Sequence, residues 1–353
     1  MEDRTMRAAV LNRPKSIEVK DVPIPTMKED EALIRVHCVG VCGSDIHYYE
    51  HGRIGRYVVK QPIILGHELA GDVVSVGSKV TSVKPGDRVA VEPGVPCDRC
   101  EFCKSGRYNL CPDVVFMATP PVNGAWAEYV SIRADFLHRL PEELSYEEGA
   151  LLEPLSVGVH AMRRGHISPG DTVLVSGLGP VGMLAGVAAK MFGASQVIGT
   201  DVVSFRLDIA KKLGFDGVIN PQIQSVSEEI ARLTGGLGVT AIVETSGNQS
   251  AISDAVENIN FGGKVICIGL PISNSIPMNI PLLVDKELDV YGVFRYANTY
   301  PATIQALRRS SYHIRDIITQ SYHLEEIKEA CETALSHKES SVKIMIYPNG
   351  GNQ

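Results

Sequence analysis

Two textures follow one another along this chain. Up to about residue 140 the apolar residues come in short runs cut by glycine and proline: Met6–Leu11, Ser16–Val22, Ala32–Val41, Leu69–Gly77, Asp87–Glu92 and Trp126–Ile132. Parts of these runs alternate, as in Ile17-Glu18-Val19-Lys20, which is the period-two signature of a half-buried antiparallel sheet. Near Ser145 the period changes. Ser145 and Glu148 make a capping box that opens a helix through Glu153 toward Arg164, with Pro154 expected to kink it. From Asp171 to about Phe294, apolar strands alternate with amphipathic helices. Strands are predicted at Thr172–Ser176, Gln196–Thr200, Gly217–Ile219, Ala241–Glu244, Lys264–Ile268 and Leu288–Phe294, with helices such as Phe205–Leu213 stopping at a glycine, here Gly214. Such alternation predicts an α/β unit, a doubly wound parallel sheet with helices on both faces. From Tyr300 onward helix and strand return, and this tail is expected to rejoin the first domain.

The 353 residues suffice for two domains, each with its own core. A net charge of −7 without runs of like charge argues against a nucleic-acid partner and against an anionic membrane surface. The uncharged stretches Thr172–Ala189 and Val265–Val284 are interrupted by glycine and proline and read as strand-plus-loop or strand-plus-helix pieces, not membrane spans. Eight cysteines in a chain of this size, with no signal peptide, do not suggest a disulfide framework, so a soluble, cytoplasmic protein is expected.

Four of those cysteines change the picture. Cys97, Cys100, Cys103 and Cys111 are spaced C-x2-C-x2-C-x7-C, and a compact loop can turn all four thiolates onto one tetrahedral Zn²⁺. A [4Fe–4S] cluster shares the first part of that spacing but sets its last cysteine closer. Arg99, Lys104 and Arg107 lie near enough in sequence to soften the negative charge. A site with four cysteine ligands is closed, so it stabilises structure and does no chemistry. The cofactor signal lies further on. Gly177-Leu178-Gly179-Pro180-Val181-Gly182 follows an apolar strand and opens a helix, the context that makes this glycine pattern a dinucleotide fingerprint. Asp201 comes at the end of the next strand, nineteen residues past Gly182, where its carboxylate accepts the adenosine ribose hydroxyls and repels a 2′-phosphate. NAD is therefore expected over NADP, although Asp201 as a simple helix cap is the competing view. Arg206 either lies over the adenine or faces water.

Two further segments, Cys42-Gly-Ser44-Asp45-Ile-His47 and Gly66-His67-Glu68-x2-Gly71-x5-Gly77, complete a series. With the four-cysteine lobe and GLGPVG, in that order and over essentially the whole chain, they resemble the zinc-dependent medium-chain dehydrogenases. The segments CGSDIHYYE (42–50), EPGVPC (92–97), ATPP (118–121), EPLSV (153–157) and Phe294-Arg295-Tyr296 are similar to the sorbitol (L-iditol 2-) dehydrogenase branch. The resemblance implies a GroES-like, β-rich catalytic domain over 1–154 and 296–353, with its zinc lobe at about 93–113, and a Rossmann NAD-binding domain over 155–295. It also implies a homotetramer. Taken singly, Cys42 and His67 are more often core residues; in this context the resemblance makes them catalytic zinc ligands. It makes Glu68 the third protein ligand, with Glu153 touching the metal-bound water or exchanging with Glu68. Either carboxylate leaves a formally neutral site with an open position. A catalytic zinc would then act as Lewis acid on a secondary hydroxyl, NAD would take the hydride, and Ser44, His47 or water on Glu153 would relay the proton. Tyr48, Phe116, Thr119, Arg295 and Tyr296 match substrate positions, with plain core packing a serious competitor for Tyr48 and Phe116. Ser44 reads equally well as a turn hydroxyl on the sequence alone, and the resemblance favours the relay. The expected reaction is oxidation of a sorbitol-like polyol to a ketose. Close alternatives are xylitol, L-arabinitol or galactitol oxidation, and more distant ones are L-threonine or butanediol oxidation. Outside that class stand a catalytically inactive zinc-stabilised binding protein and, least favoured by the acidic charge, a zinc-ribbon nucleic-acid binder.

Overall fold

The computed structural model describes residues 5–271 and 275–350. The chain divides into two compact units, Met1–Glu153 with Tyr300–Arg309 and Ile318–Gln353, and Pro154–Thr299 with Ser310–Ile317.

The first unit is built around the strand Glu31–Gly40. This strand pairs antiparallel with Glu68–Val76, Tyr129–Arg133 and the late strand Lys343–Tyr347, which itself runs parallel to Ile318–His323. With Arg88–Val91 and Leu137–Arg139 they make a seven-stranded sheet. Its alternation is legible in burial: Ala32, Ile34 and Val36 face the core while Arg35 is exposed. A separate hairpin, Thr5–Arg13 with Ser16–Pro23, covers the same core, in which Leu11, Leu65, Leu69 and Trp126 are wholly buried. The register sets Gly40 opposite Glu68 on one side and opposite Met345 on the other, a detail that shapes the metal centre.

The helix Tyr146–Arg164 begins with the expected capping box. Ser145 N–H donates to Glu148 Oε2 at 2.8 Å, and Glu148 N–H donates to Ser145 Oγ at 3.2 Å. Pro154 sits within it, and the helix continues on both sides.

The second unit carries six parallel strands: Thr172–Ser176, Gln196–Thr200, Gly217–Ile219, Val239–Glu244, Ile259–Cys267 and Asp289–Gly292. Numbered in chain order, their spatial order is 3-2-1-4-5-6, the doubly wound arrangement. The helix Ser204–Lys212 ends at Gly214 with φ +86°, as a C-terminal glycine should. Two details differ from the pattern expected of the sequence. The last strand stops at Gly292, and Phe294 is half exposed while Arg295 is left-handed at φ +52°, so the strand ends before the Arg295-Tyr296 pair and the chain turns at Arg295. Residues 296–299 and 310–317 group with the second unit instead of with the tail. Ile314 and Ile317, three residues apart and wholly buried, explain the second segment: they pack it against the helices Pro180–Met191 and Ser204–Lys212. Among the described residues no helix is long and apolar enough to cross a membrane.

Candidate metal centres and cofactor site

Cys42 stands at the N-cap of the helix Gly43–His51. Three residues on, Asp45 is wholly buried, and its carboxylate is committed on both sides. Oδ2 accepts the Cys42 N–H at 3.1 Å, and Oδ1 accepts the Gly66 N–H at 3.0 Å. Oδ1 also lies 3.4 Å from His67 Nδ1, an ion-pair contact that leaves Nε2 free for a metal. One carboxylate thus fastens the two segments that carry the donor atoms. The turn between them needs glycine: Gly66 has φ +87°, and a Cβ there would stand 2.4 Å from the Trp126 ring. Reasoning from the sequence placed Asp45 inside the CGSD segment but gave it no role. Its signal was an acidic residue at the third position of a helix whose N-cap is a ligand.

The donor atoms of Cys42, His67 and Glu68 lie within 4.8 Å of one another. Glu68 opens its strand, and its carboxylate fills the space a side chain at Gly40 would take, since a Cβ there would be 2.1 Å from Oε2. Lys343, missed in the sequence, donates to both Glu68 oxygens at 2.8 and 2.6 Å and to the Val41 carbonyl at 3.0 Å. Burial opposes the charge on Lys343, but Glu68, Cys42 and Glu153 outweigh it and raise its pKa above 10.5. Burial likewise opposes the charge on His67, and Asp45 and Cys42 overturn it, holding the imidazole well above 6.5. A thiolate, an imidazole and a carboxylate converging among surplus negative charge suit Zn²⁺ with an open coordination position. Glu153 is buried close enough to act on Lys343 but falls outside the 4.8 Å group.

Around this triad, Phe116 stands edge-on to His67 with ring centroids 5.6 Å apart. Tyr48 is buried, Ser44 and Thr119 are half-buried, and His47 is exposed beside His51. Arg295 and Tyr296 belong to the second unit; the Arg295 guanidinium lies 4.9 Å from the Phe294 ring centroid, and Tyr296 is buried.

The second set of donors is the cysteine lobe. All four sulfurs of Cys97, Cys100, Cys103 and Cys111 lie within 4.8 Å of one another, with Cys100 and Cys103 at 3.3 Å. Backbone N–H groups of Arg99 and Cys100 lower the Cys97 thiol to about 7, whereas burial and the neighbouring sulfurs push Cys103 up to about 12. Four sulfurs this close can all give up their protons to solvent only when a cation takes the protons' place, and a closed tetrahedral zinc would be that cation. The lobe is tied down at both ends: Arg133 Nη1 meets Asp98 Oδ2 at 2.5 Å, and the Tyr108 hydroxyl donates to Glu92 Oε1 at 2.5 Å. Glu92 Oε2 in turn meets His138 Nε2 at 2.9 Å.

In the second unit, Gly177 turns the chain at φ +89°. Gly182 packs so closely that a Cβ would be 1.9 Å from the Gly177 carbonyl, whereas a Cβ at Gly179 would meet only open space. That space is part of a cavity of about 430 Å³ lined by Gly177, Gly179, Asp201 and Arg206. The helix Pro180–Met191 starts beside it, and its first-turn N–H groups, including those of Val181 and Gly182, have no intrahelical acceptor. A pyrophosphate fits this end. Asp201 accepts the Leu178 N–H at 2.8 Å and the Val203 N–H at 2.9 Å, and Arg206 Nη1 lies 3.5 Å from it. Each Asp201 oxygen accepts one backbone N–H, Oδ2 that of Leu178 and Oδ1 that of Val203, the residue before the helix Ser204–Lys212.

A closed four-cysteine lobe, a Cys-His-Glu triad and a dinucleotide-binding sheet define a zinc- and NAD-dependent oxidoreductase. The chain belongs to the zinc-dependent medium-chain dehydrogenase family: residues 28–142 match the alcohol dehydrogenase GroES-like domain and residues 180–309 match the zinc-binding dehydrogenase domain. It is 50% identical over 346 residues to a sorbitol dehydrogenase of Bacillus subtilis, covering 98% of each chain. To the human sorbitol dehydrogenase it is 43% identical over 348 residues, covering 98% of this chain and 96% of the relative. Among solved structures, an Escherichia coli oxidoreductase/dehydrogenase of unknown specificity superposes with a TM-score of 0.93 at 36% identity, covering 98% of this chain and 99% of that one.

Proposed function

We propose that this protein oxidises a secondary hydroxyl of sorbitol, or of a closely related polyol, to the ketose and passes the hydride to NAD. The observation that carries the reading is the convergence of Cys42, His67 and Glu68 in a chain that is 50% and 43% identical to the Bacillus subtilis and human sorbitol dehydrogenases. Cys42, His67 and Glu68 hold the catalytic zinc, and Cys97, Cys100, Cys103 and Cys111 the structural one. When bound, the catalytic zinc supplies the Lewis acidity that lowers the pKa of a substrate hydroxyl, and the cofactor supplies the hydride acceptor. Asp45 keeps His67 in the tautomer that presents Nε2. Glu153 orders water at the centre or exchanges with Glu68. Ser44, half-buried, and His47, exposed on the same helix, carry the proton of the substrate hydroxyl toward solvent. Tyr48, Phe116 and Thr119 bound the substrate on the catalytic unit, and Arg295 and Tyr296 hydrogen-bond its hydroxyls, as a site selecting polyols requires. Gly177, Gly179, Pro180, Val181 and Gly182 seat the pyrophosphate, Asp201 the adenosine ribose, and Arg206 flanks it. The family resemblance supports a cytoplasmic homotetramer of two domains, catalytic and cofactor-binding.

Initial rates of NADH formation with sorbitol, xylitol, L-arabinitol, galactitol and L-threonine test the reading, each run with NAD and with NADP, before and after chelation. Chelator-sensitive, NAD-specific polyol oxidation is expected, and the ranking names the substrate. No polyol turnover by folded protein carrying two zinc ions would sink the assignment.

A further inference from the structure

We infer that Lys343 is a built-in counter-cation of the triad: it shares Glu68 with the catalytic metal and holds the centre together when that metal is removed. This rests on the reading that Cys42, His67 and Glu68 are the ligands. Lys343 belongs to none of the motifs read above and lies 275 residues from Glu68 in the chain.

Its side chain and that of Glu68 are each only 1% exposed, a degree of burial lysine tolerates only when paired. The pairing is complete. An ammonium has three protons, and here two face the Glu68 oxygens and one the Val41 carbonyl. No donor remains for substrate or water, so Lys343 is a positioning residue and no proton carrier. Its contacts also bracket the site, since Val41 precedes Cys42 and Glu68 follows His67. The sheet enforces this placement: the strands carrying Glu68 and Lys343 flank Glu31–Gly40, and the missing side chain at Gly40 is what admits the carboxylate.

The charges fix a sign. Cys42, Glu68 and Glu153 are three buried or half-buried groups able to carry negative charge, and Asp45 is already engaged with His67. With zinc removed, Lys343 is the cation in contact with Glu68, since His67 Nδ1 faces Asp45. Taking it away strands a buried carboxylate, a large penalty, whereas the zinc-loaded centre still has the metal to answer that charge. Loss of Lys343 therefore harms the chelated protein more than the loaded one, and by linkage the variant binds zinc more tightly than wild type. A lysine that merely oriented Glu68 for the metal would behave oppositely, because removing such a partner weakens metal binding by roughly 10–100-fold.

Lys343→Met keeps the length and removes the charge. Zinc content of the wild type is measured first: one ion per chain would overturn the ligand assignment itself, while two leave the test of Lys343 standing. Thermal melts with zinc and with chelator, and competition against a chromophoric chelator with the lobe filled, are then compared for wild type and K343M. The expected result is a larger zinc-dependent rise in Tm for K343M and an apparent Kd at the triad at least about tenfold lower. A variant that folds with zinc but not with chelator is the extreme form of the same result. An equal or smaller rise with unchanged or weaker affinity overturns the inference. Should K343M fail to fold even with zinc, the E68Q/K343M double variant decides: without either charge it is expected to fold, and its failure would show Lys343 to be needed for packing alone.

Discussion

Asp45 shows how much a single side chain decides in this molecule. Its two oxygens receive the N–H groups of Cys42 and Gly66 and face His67 Nδ1, so three positions of the triad's frame hang on one carboxylate. Asp45→Asn keeps the shape but has one acceptor oxygen, and it turns an NH₂ toward a donor. The expected outcome is a loss of about 10–100-fold in catalytic zinc affinity or in kcat. Zinc competition and steady-state rates measure both, with the far-ultraviolet circular dichroism unchanged. Asp201 is economical in the same way. It fixes the glycine loop through Leu178 N–H and the next helix through Val203 N–H while lining the cofactor cavity, so its geometry is set before NAD arrives.

Strand pairing is what turns these residues into a site. Gly40 lies in register with Glu68, and its lack of a side chain is the space the carboxylate occupies. Gly40→Ala places a methyl 2.1 Å from Oε2, so Glu68 must swing out or the two strands must part, a cost of roughly 1–3 kcal/mol. The variant is expected to keep one zinc per chain, in the lobe, and to lose the other; metal analysis after gel filtration checks it. The same pairing explains what was legible in the sequence and what was not. The six parallel strands, the Ser145–Glu148 box, GLGPVG and the cysteine lobe are local patterns, each written within about twenty residues, and the structure realises them close to where they were drawn. Lys343 and Gly40 acquire meaning only when a strand from the end of the chain settles beside one from its start, and no local period announces that. Asp45 is visible in the CGSD segment, but its partners Gly66 and His67 lie more than twenty residues away and no local pattern links them to it. The 310–317 segment was too short to show a period, and its two isoleucines reveal their side only once the sheet is folded.

For the molecule as a whole, proton and metal compete for the same centre, and the sign of the competition follows from His67. Burial alone would depress its pKa, yet Asp45 and Cys42 hold it well above the ordinary 6.5. In the chelated protein, then, His67 contributes stability that is fully present below about 6.5 and is lost as pH rises through the elevated folded value. Zinc needs the neutral imidazole, so each ion bound at the triad must expel that proton. Zinc affinity is therefore weakest in acid and climbs with pH until the elevated pKa is passed. Correspondingly, the gap in Tm between loaded and chelated protein narrows on acidification and widens above neutrality. The lobe adds to the trend in the same direction, because the Cys103 thiol, at about 12, also gives up a proton to the metal. Titrating zinc calorimetrically into protein whose lobe is already filled, in two buffers of different ionisation enthalpy, isolates the triad. At neutral pH each zinc is expected to release the His67 proton together with any proton the Cys42 thiol holds. Asp45→Asn removes the charge that raises His67, so it is expected to release up to about one proton fewer than wild type near pH 7; equal release would mean that Asp45 does not hold His67 charged.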